Sequence, residues 1–217
     1  MNPYSIQFDQ ARPSILLLGA HCDDIEIGCG ATVARLVERH PAARFTWVTF
    51  SADDEREAET RAAAARLLAG AADAEVIVHR FRGSYFPHAG PELKDRVEDL
   101  KRHAPNLILT HCRHDLHQDH RVVNELTWNT FRDHAIWEYE IPKFDGDLGQ
   151  PNVYVPLSRA DIERKCEMLM DSFPSQRARA WFTPDTFLGL ARLRGIECQA
   201  PGGYAEAFFG RKLCMLP

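Results

Sequence analysis

The sequence predicts an α/β fold with an open, mostly parallel sheet, helices on both faces of that sheet, and a C-terminal extension. Short apolar runs alternate with amphipathic segments along the first 134 residues. Strands that alternate with helices pair in parallel through right-handed crossovers. Beyond this point the alternation becomes less regular, so residues 136–217 are expected to form the extension.

Each predicted element depends on the spacing of its apolar residues. SILLLGA over 14–20 predicts the first strand, GATVARLVERH over 30–40 has helical spacing, and RFTWVTFS over 44–51 predicts the second strand. An alanine-rich helix over 55–70 ends at Gly70. Later predicted strands lie over 74–81, 105–112, 135–142 and 152–156. Later predicted helices lie over 91–104, 118–134 and 158–173, and the last of these has a capping pattern of Ser158 and Asp161. This order is typical of a Rossmann-like sheet, in which ligands bind beyond the carboxyl ends of the strands.

Size and composition limit the class of protein. The 217 residues suffice for one sizeable core, so we expect a single domain over 1–217. The net charge of −5, without basic runs that interleave with aromatic residues, argues against nucleic acid as a partner. The opening residues lack the pattern of a signal peptide, and no apolar run approaches the roughly 18 residues of a membrane span. We therefore expect a cytoplasmic protein with no membrane partner, whose six scattered cysteines are reduced thiols.

Two polar clusters each follow an apolar strand. LLLGAHCDDIEIGCGAT over 16–32 and THCRHDLHQDH over 110–120 lie at the ends of the first and fourth predicted strands. Their ionisable residues are His21, Asp23, Asp24 and Glu26 in the first cluster, and His111, His114, Asp115, His117, Asp119 and His120 in the second. Because the carboxyl ends of parallel strands lie at one edge of a sheet, we expect the two clusters to meet there.

The density of charge in these clusters predicts a metal site. Taken singly, an Asp pair after a strand is usually a helix cap, and a histidine is usually a satisfied polar residue. Together, several unpaired carboxylates in one place would cost several kcal/mol unless a cation compensated them. Imidazole and carboxylate ligands suit zinc, and ferrous iron can use the same set. A catalytic zinc site has three protein ligands and an open position, so counting alone leaves the individual roles open.

The two clusters resemble the signatures of a known family. AHCDDIEIGCGAT is similar to the AHPDDExxGCGGT signature of the PIG-L/LmbE-like N-deacetylases, and HDLHQDH is similar to their HxDxHxDH signature. The resemblance extends through 55–70 and through YAEAF over 204–208. It implies a zinc-dependent enzyme that deacetylates an N-acetylated aminosugar, with His21, Asp24 and His120 as metal ligands. The absence of a membrane span favours a soluble small molecule or natural-product intermediate over a lipid as the substrate.

The resemblance also implies roles for the remaining polar residues. Asp23 would be the general base, and His117 would stabilise the oxyanion and help to protonate the leaving amine. Asp119 would orient and charge a neighbouring imidazole, and Asp115 would lie behind the ligands. Arg56 would contact sugar hydroxyls, although a surface arginine on a helix is the alternative for this residue.

The sequence departs from the family signature at two positions. Cys22 stands where proline is usual and Ala31 where a second glycine is usual, and neither change removes a ligand. A thiol beside the metal suggests oxidative sensitivity, whereas the alternative is that Cys22 simply packs. Arg56, the aromatic segments over 81–87 and 137–142, and the tail are the candidates for the rim of the site. Residues such as Tyr85, Phe86 and Trp137 are, however, more often core residues than substrate contacts.

Two other classes of function match parts of the sequence: a nucleotide-binding protein and a non-catalytic metal-binding scaffold. GCGATV after a strand has part of the GxGxxG pattern of nucleotide-binding proteins, but it lacks the third glycine and has acids where an anion would bind. A non-catalytic metal-binding scaffold would keep the ligands without the reaction, and the presence of Asp23 and His117 argues against it. The oligomeric state stays open, a homo-oligomer included.

Overall fold

The computed structural model describes residues 6–213, which fold around one seven-stranded sheet. The strands are β1 Ser14–Gly19, β2 Arg44–Thr49, β3 Asp73–Val78, β4 Leu107–His111, β5 Ala135–Tyr139, β6 Val153–Leu157 and β7 Tyr204–Phe209. Their order in the sheet is β3-β2-β1-β4-β5-β7-β6. The first five run parallel, and β7 is antiparallel to both of its neighbours. The predicted α/β class with a mostly parallel sheet is therefore confirmed.

Helices cover both faces of the sheet, as predicted. They are α1 Asp24–Arg39, α2 Asp54–Leu67, α3 Gly90–Asp99, α4 Gln118–Thr130, α5 Arg159–Ser172 and α6 Pro184–Glu197. Alternate residues of β1 point to opposite faces, because side chains along a strand alternate. Ile15 and Leu17 belong to a core with residues of α1, α2, α5 and α6, whereas Leu16 and Leu18 belong to a core with residues of α3 and α4.

The strand order reverses between β1 and β4. β2 and β3 lie on one side of β1, and the chain then crosses to the other side of β1 to form β4. β1 and β4 pair in register from Ile15 with Leu107 to Leu17 with Leu109. Such a reversal leaves a crevice beyond the carboxyl ends of the two strands. The two polar clusters follow these two strands and therefore line the same crevice.

The first helix begins earlier than the sequence predicts. The expected start was residue 30, but α1 starts at Asp24 and contains a non-helical residue, Cys29, with φ −148° and ψ 18°. The prediction was wrong because the two acids interrupt the apolar pattern, whereas acids in a first turn suit the positive end of a helix. Asp24 and Glu26 therefore lie on a helix rather than in a loop.

The C-terminal extension continues the same sheet. β7 pairs with β5 on one side and with β6 on the other, and α5 and α6 pack on the core that also contains α1. The helix α6 and the strand β7 were not predicted. The capping box of α5 is present, since Ser158 and Asp161 bond to each other's backbone N–H groups. The continuous sheet supports the proposal that the chain forms one domain.

Within residues 6–213, no helix is both long and apolar enough to cross a membrane. The five cysteines in that range are buried and free, in agreement with the prediction of reduced thiols. Cys214, the sixth, lies outside the described residues.

Candidate metal centre and active site

The two clusters meet at the carboxyl ends of β1 and β4. His21 lies in the turn after β1, and Asp24 begins α1. His117 is the N-cap of α4, and His120 lies in the first turn of that helix. Both helices thus start at this edge, because each follows its strand after a short turn.

Three of the side chains surround one point. His21 Nδ1 lies 3.2 Å from His120 Nε2 and 3.4 Å from Asp24 Oδ2. His120 Nε2 lies 3.5 Å from Asp24 Oδ1. Tetrahedral ligands at about 2.0 Å from a zinc ion are about 3.3 Å apart. The two ring nitrogens and the Asp24 carboxylate are therefore spaced as ligands of one tetrahedral ion would be, with His21 and His120 facing different oxygens of Asp24.

Carboxylates behind the two imidazoles fix their orientation. Asp119 Oδ2 lies 3.0 Å from His21 Nε2, and Asp115 Oδ2 lies 2.8 Å from His120 Nδ1. Such outer carboxylates orient metal-binding histidines. Asp115 is held in turn by the buried Lys143, 3.0 Å away, a residue that the sequence did not single out. Although burial would raise the pKa of Asp115, the hydrogen bond from His120 and the nearby charges lower it to about 2.

The imidazole that Asp119 contacts is His21. The resemblance left the neighbouring imidazole unspecified. Asp119 also accepts hydrogen bonds from the backbone N–H groups of Ser84 and Phe86, which fasten the loop after β3 to the site. His117 instead accepts a hydrogen bond at Nδ1 from the Asp119 N–H, at 3.2 Å. The neutral His117 ring therefore carries its proton on Nε2.

Two further histidines lie close to the centre. His117 offers a nitrogen within 4.8 Å of nitrogens of His21 and His120, and His111 is similarly close to Asp24 and His120. His111 is fully buried, and its Nε2 accepts the N–H of Ala20 at 2.9 Å. A lone pair that accepts a hydrogen bond is not free for a metal. His111 stacks on His120 with ring centroids 3.9 Å apart and so supports that ring.

Asp23 forms an ion pair with Arg56. Arg56 Nη2 donates to Asp23 Oδ1 at 2.8 Å, and Arg56 Nε lies 3.8 Å from Glu59 Oε2. Glu59 accepts hydrogen bonds from the backbone and hydroxyl of Ser175. Burial raises the pKa of Asp23, and the Arg56 charge opposes that rise. Sequence analysis missed this contact because the partners are 33 positions apart and on different elements.

Other polar residues of the clusters are not in a position to bind a metal. Glu26 is fully buried and neither of its oxygens has a hydrogen-bond partner among the described residues. Burial raises its pKa well above the ordinary value, which favours the neutral acid. His114 is exposed and lies against Phe209. Neither is in a group of side chains close enough to hold one ion.

Cys22 is packed rather than reactive. Its side chain is 1% exposed, and its Sγ donates to the Ser51 carbonyl at 3.3 Å. Burial raises the pKa of this thiol to about 12. Oxidation requires an accessible thiolate, so the structure favours the packing alternative over oxidative sensitivity.

The rim contains only part of the segments expected there. Tyr85 is 42% exposed, and Phe144 in the loop after β5 is 75% exposed. Phe86, in contrast, is fully buried, and Trp137 packs on Phe208 with ring centroids 5.3 Å apart. The segment over 137–142 is therefore mainly core, because it contains β5.

Comparisons with known proteins concern the family and the fold of this chain. The family model described as GlcNAc-PI de-N-acetylase (PIG-L) matches residues 16–131. The chain is similar in fold to N,N′-diacetylchitobiose deacetylase from Pyrococcus horikoshii, with 18% identity over 90% of this chain and 82% of that chain and a TM-score of 0.70. It is also similar to the A40926 pseudoaglycone deacetylase Dbv21, with 19% identity over 94% of this chain and 100% of that chain and a TM-score of 0.68.

A third solved structure shares the fold under a different activity. GalB, the 4-carboxy-2-hydroxymuconate hydratase from Pseudomonas putida KT2440, is 17% identical over 94% of this chain and 98% of that chain, with a TM-score of 0.76. At these identities the likeness shows the fold alone, and the search of curated proteins gave no match. The family model, in contrast, spans more than half of the chain and includes both clusters. The chain therefore belongs to the PIG-L (GlcNAc-PI de-N-acetylase) family.

Proposed function

We propose that this protein is a metal-dependent deacetylase that hydrolyses the acetamide of an N-acetylated aminosugar in a soluble small-molecule conjugate, such as a natural-product intermediate. One observation carries the proposal: His21 Nδ1 and His120 Nε2 lie 3.2 Å from each other and 3.4 and 3.5 Å, respectively, from the two carboxylate oxygens of Asp24, with a buried carboxylate, Asp23, adjacent in the chain. The family match supports the acetamide as the bond that is cleaved.

In this proposal His21, Asp24 and His120 hold the metal, which is zinc or ferrous iron. When bound, such an ion supplies a Lewis acid for the amide carbonyl and increases the acidity of water. Asp119 and Asp115 keep the two imidazoles oriented through the nitrogens that do not face the centre. Both imidazoles are then held as ligands before a metal binds.

Asp23 and His117 are the residues proposed to move protons. Asp23 takes a proton from the attacking water, whose oxygen bonds to the carbonyl carbon, and the Arg56 charge favours the ionised form of this buried carboxylate beforehand. His117, with its proton on Nε2, donates a hydrogen bond to the developing oxyanion. The C–N bond then breaks, and the nitrogen takes the proton that Asp23 received from the water, or a proton from His117 in its imidazolium form, since the neutral ring cannot give up its only proton. The products are acetate and a free amine.

The structure weakens the nucleotide-binding alternative. The glycines of GCGATV lie inside the buried first half of α1 instead of forming a loop. A Cβ at Gly28 would lie 2.2 to 2.8 Å from atoms of the Tyr139 ring, so no phosphate can approach the backbone there. A scaffold without activity would have no need for the ion pair between Asp23 and Arg56 at the centre.

The test is acetate release from a panel of soluble N-acetylglucosaminyl conjugates by zinc-loaded protein. Asp23→Ala is the blank and is expected to keep its zinc while losing about 10²-fold or more in turnover. His120→Ala is expected to lose zinc affinity. No acetate from any conjugate, with zinc bound to the wild type, would refute the proposed activity. Equal loss of zinc in both variants would refute this division of roles.

A further inference from the structure

The helix that carries Asp24 is interrupted just after its first turn. In a continuous helix the Ala31 N–H would donate to the Ile27 carbonyl. Here the non-helical Cys29 separates the two groups. The Ala31 N–H donates to Glu206 Oε1 at 3.1 Å instead, and the Ile27 carbonyl accepts a hydrogen bond from Lys165 Nζ at 2.6 Å.

The residues inserted at this break form a buried ion pair. Lys165 Nζ, from α5, lies 2.6 Å from Glu206 Oε1, from β7, and the two side chains are 5% and 4% exposed. Glu206 Oε2 also accepts the Thr32 N–H at 2.6 Å. The pair therefore substitutes for helical hydrogen bonds on both sides of the break.

The charges of this pair match the two helix segments that they cap. Glu206 is a carboxylate at the N-terminus of the second segment, where N–H groups are unpaired, and Lys165 is an ammonium group at the C-terminus of the first segment. A buried ion pair is costly unless its remaining groups are hydrogen-bonded, and here α1 provides those partners. The two charges thus stabilise the interrupted conformation of α1 and not a continuous helix.

The break sets the direction of the segment that begins at Asp24. Residues 24–28 meet the rest of α1 at Cys29, and the ion pair holds this first segment at the Ile27 carbonyl, beside the core contacts of Ile25 and Ile27. Asp24 is one of the three proposed metal ligands, and it lies in the first turn of this segment.

We propose that Lys165 and Glu206 are positioning residues for the metal centre. They act through the backbone of α1, holding the first segment in the direction that sets the Asp24 carboxylate beside His21 and His120. The inference takes its ligand set from the proposed function. It gives the extension, which lies beyond the matched residues 16–131, a role in the site.

The test compares two buried ion pairs of the extension. The variants are Glu206→Gln, which keeps the shape of the side chain, and Lys165→Met. The control is Glu140→Gln, which disrupts the Glu140–Arg194 pair, with contacts of 2.6 and 2.9 Å and side chains 5% and 7% exposed. That pair has no hydrogen bond to α1 among the described residues.

Two readouts are measured on each folded variant. Zinc affinity comes from competition with a chelator, and the visible absorption of the Co²⁺-loaded protein reports the ligand geometry. We expect Glu206→Gln and Lys165→Met to weaken zinc binding by about 10- to 100-fold, as outer residues of metal sites do, and to alter the Co²⁺ spectrum. Glu140→Gln should lower the melting temperature while leaving zinc affinity within about twofold of wild type, since it disturbs no group behind a ligand.

Unchanged zinc affinity and an unchanged Co²⁺ spectrum in Glu206→Gln would overturn the inference. An equal loss of zinc affinity in Glu140→Gln, at a similar melting temperature, would also overturn it. If Lys165→Met does not fold, Glu206→Gln decides alone, because it changes no side-chain volume. Neither readout depends on activity. A protein that binds zinc but releases no acetate would therefore refute the proposed function and leave this inference intact.

Discussion

At the residue scale, Arg56 contacts the proposed base, Asp23. The family resemblance implies that this arginine contacts sugar hydroxyls, whereas its Nη2 donates to Asp23 at 2.8 Å. An ionised carboxylate that is buried needs such a charge, because burial alone raises its pKa. Arg56 is thus expected to affect turnover through Asp23.

We predict that Arg56→Gln lowers kcat by about 100-fold and changes KM by less than about twofold, since the loss of general base catalysis costs 10² to 10⁴ in rate. Without the guanidinium charge, burial would raise the pKa of Asp23 further and shift this group toward the protonated form, which cannot take a proton. Steady-state kinetics on a conjugate that releases acetate is the measurement.

Arg61→Gln is the matched control, because Arg61 is on the same helix but pairs with Glu57 at the surface. Its kinetics should equal those of the wild type. A rise in KM for Arg56→Gln at constant kcat would contradict the prediction and would favour the contact with substrate hydroxyls that the resemblance implies.

At the element scale, helix α1 depends on a close approach that only glycine allows. Tyr139 of β5 packs its ring against Gly28 and donates its hydroxyl to the Leu18 carbonyl of β1. A Cβ at Gly28 would lie 2.2 Å from a carbon of that fully buried ring. Because the ring is held at both ends, it cannot move aside without disturbing β1.

Gly28→Ala is therefore predicted to destabilise the protein by about 2 kcal/mol, in the range for overpacked cores. Gly189→Ala, in α6, is the control: a Cβ there meets no atom within 4 Å. It should be neutral or stabilise the helix by up to about 1 kcal/mol. Denaturant unfolding measures both, and equal stability of the two variants would contradict the packing argument.

The elements divide into those with local signals and those without. The strands β1 to β5 and the helices α2 and α5 were predicted because their apolar spacing or caps lie within their own sequence. The start of α1 was missed, and so were α6 and β7. β7 is stabilised by pairing with β5 and β6, which no local pattern reveals. The break in α1 depends on Lys165 and Glu206, more than 130 positions away.

At the scale of the whole molecule, the proposed metal centre joins two parts of the chain. His21 and Asp24 follow β1, and His120 follows β4, so a bound ion links segments about 100 positions apart. A ligand that binds only the folded protein stabilises it, by about 2.7 kcal/mol at 100 times its Kd. Removal of the metal should therefore lower the melting temperature of the entire protein.

We predict that the gain in melting temperature on zinc binding increases from pH 6 to pH 8. Burial lowers the pKa of His21, but the charges of Asp24 and Asp119 outweigh this effect. They raise the pKa of His21 in the metal-free protein to about 10. Zinc binds the neutral ring and must displace this proton, so its apparent affinity rises with pH.

The stability of the metal-free protein changes with pH in the opposite direction. A raised histidine pKa contributes stability that is full below the unfolded value near 6.5 and declines as the pH rises toward 10. Thermal unfolding with and without zinc measures both effects, with Ca²⁺ as a control because it prefers oxygen ligands. A zinc effect that does not depend on pH would contradict the assignment of a protonated His21.

The sequence by itself determined the α/β class, the family signatures, and which residues would meet, because strand and helix spacing are local and both clusters follow strands. It could not determine how those residues are arranged. Asp23 pairs with Arg56, Asp119 contacts His21, Glu26 is buried without a hydrogen-bond partner among the described residues, and an ion pair from the extension bonds to α1 on both sides of Cys29. Only the tertiary structure decided these points, since hydrogen-bond partners, burial and the resulting pKa shifts depend on residues far apart in the chain.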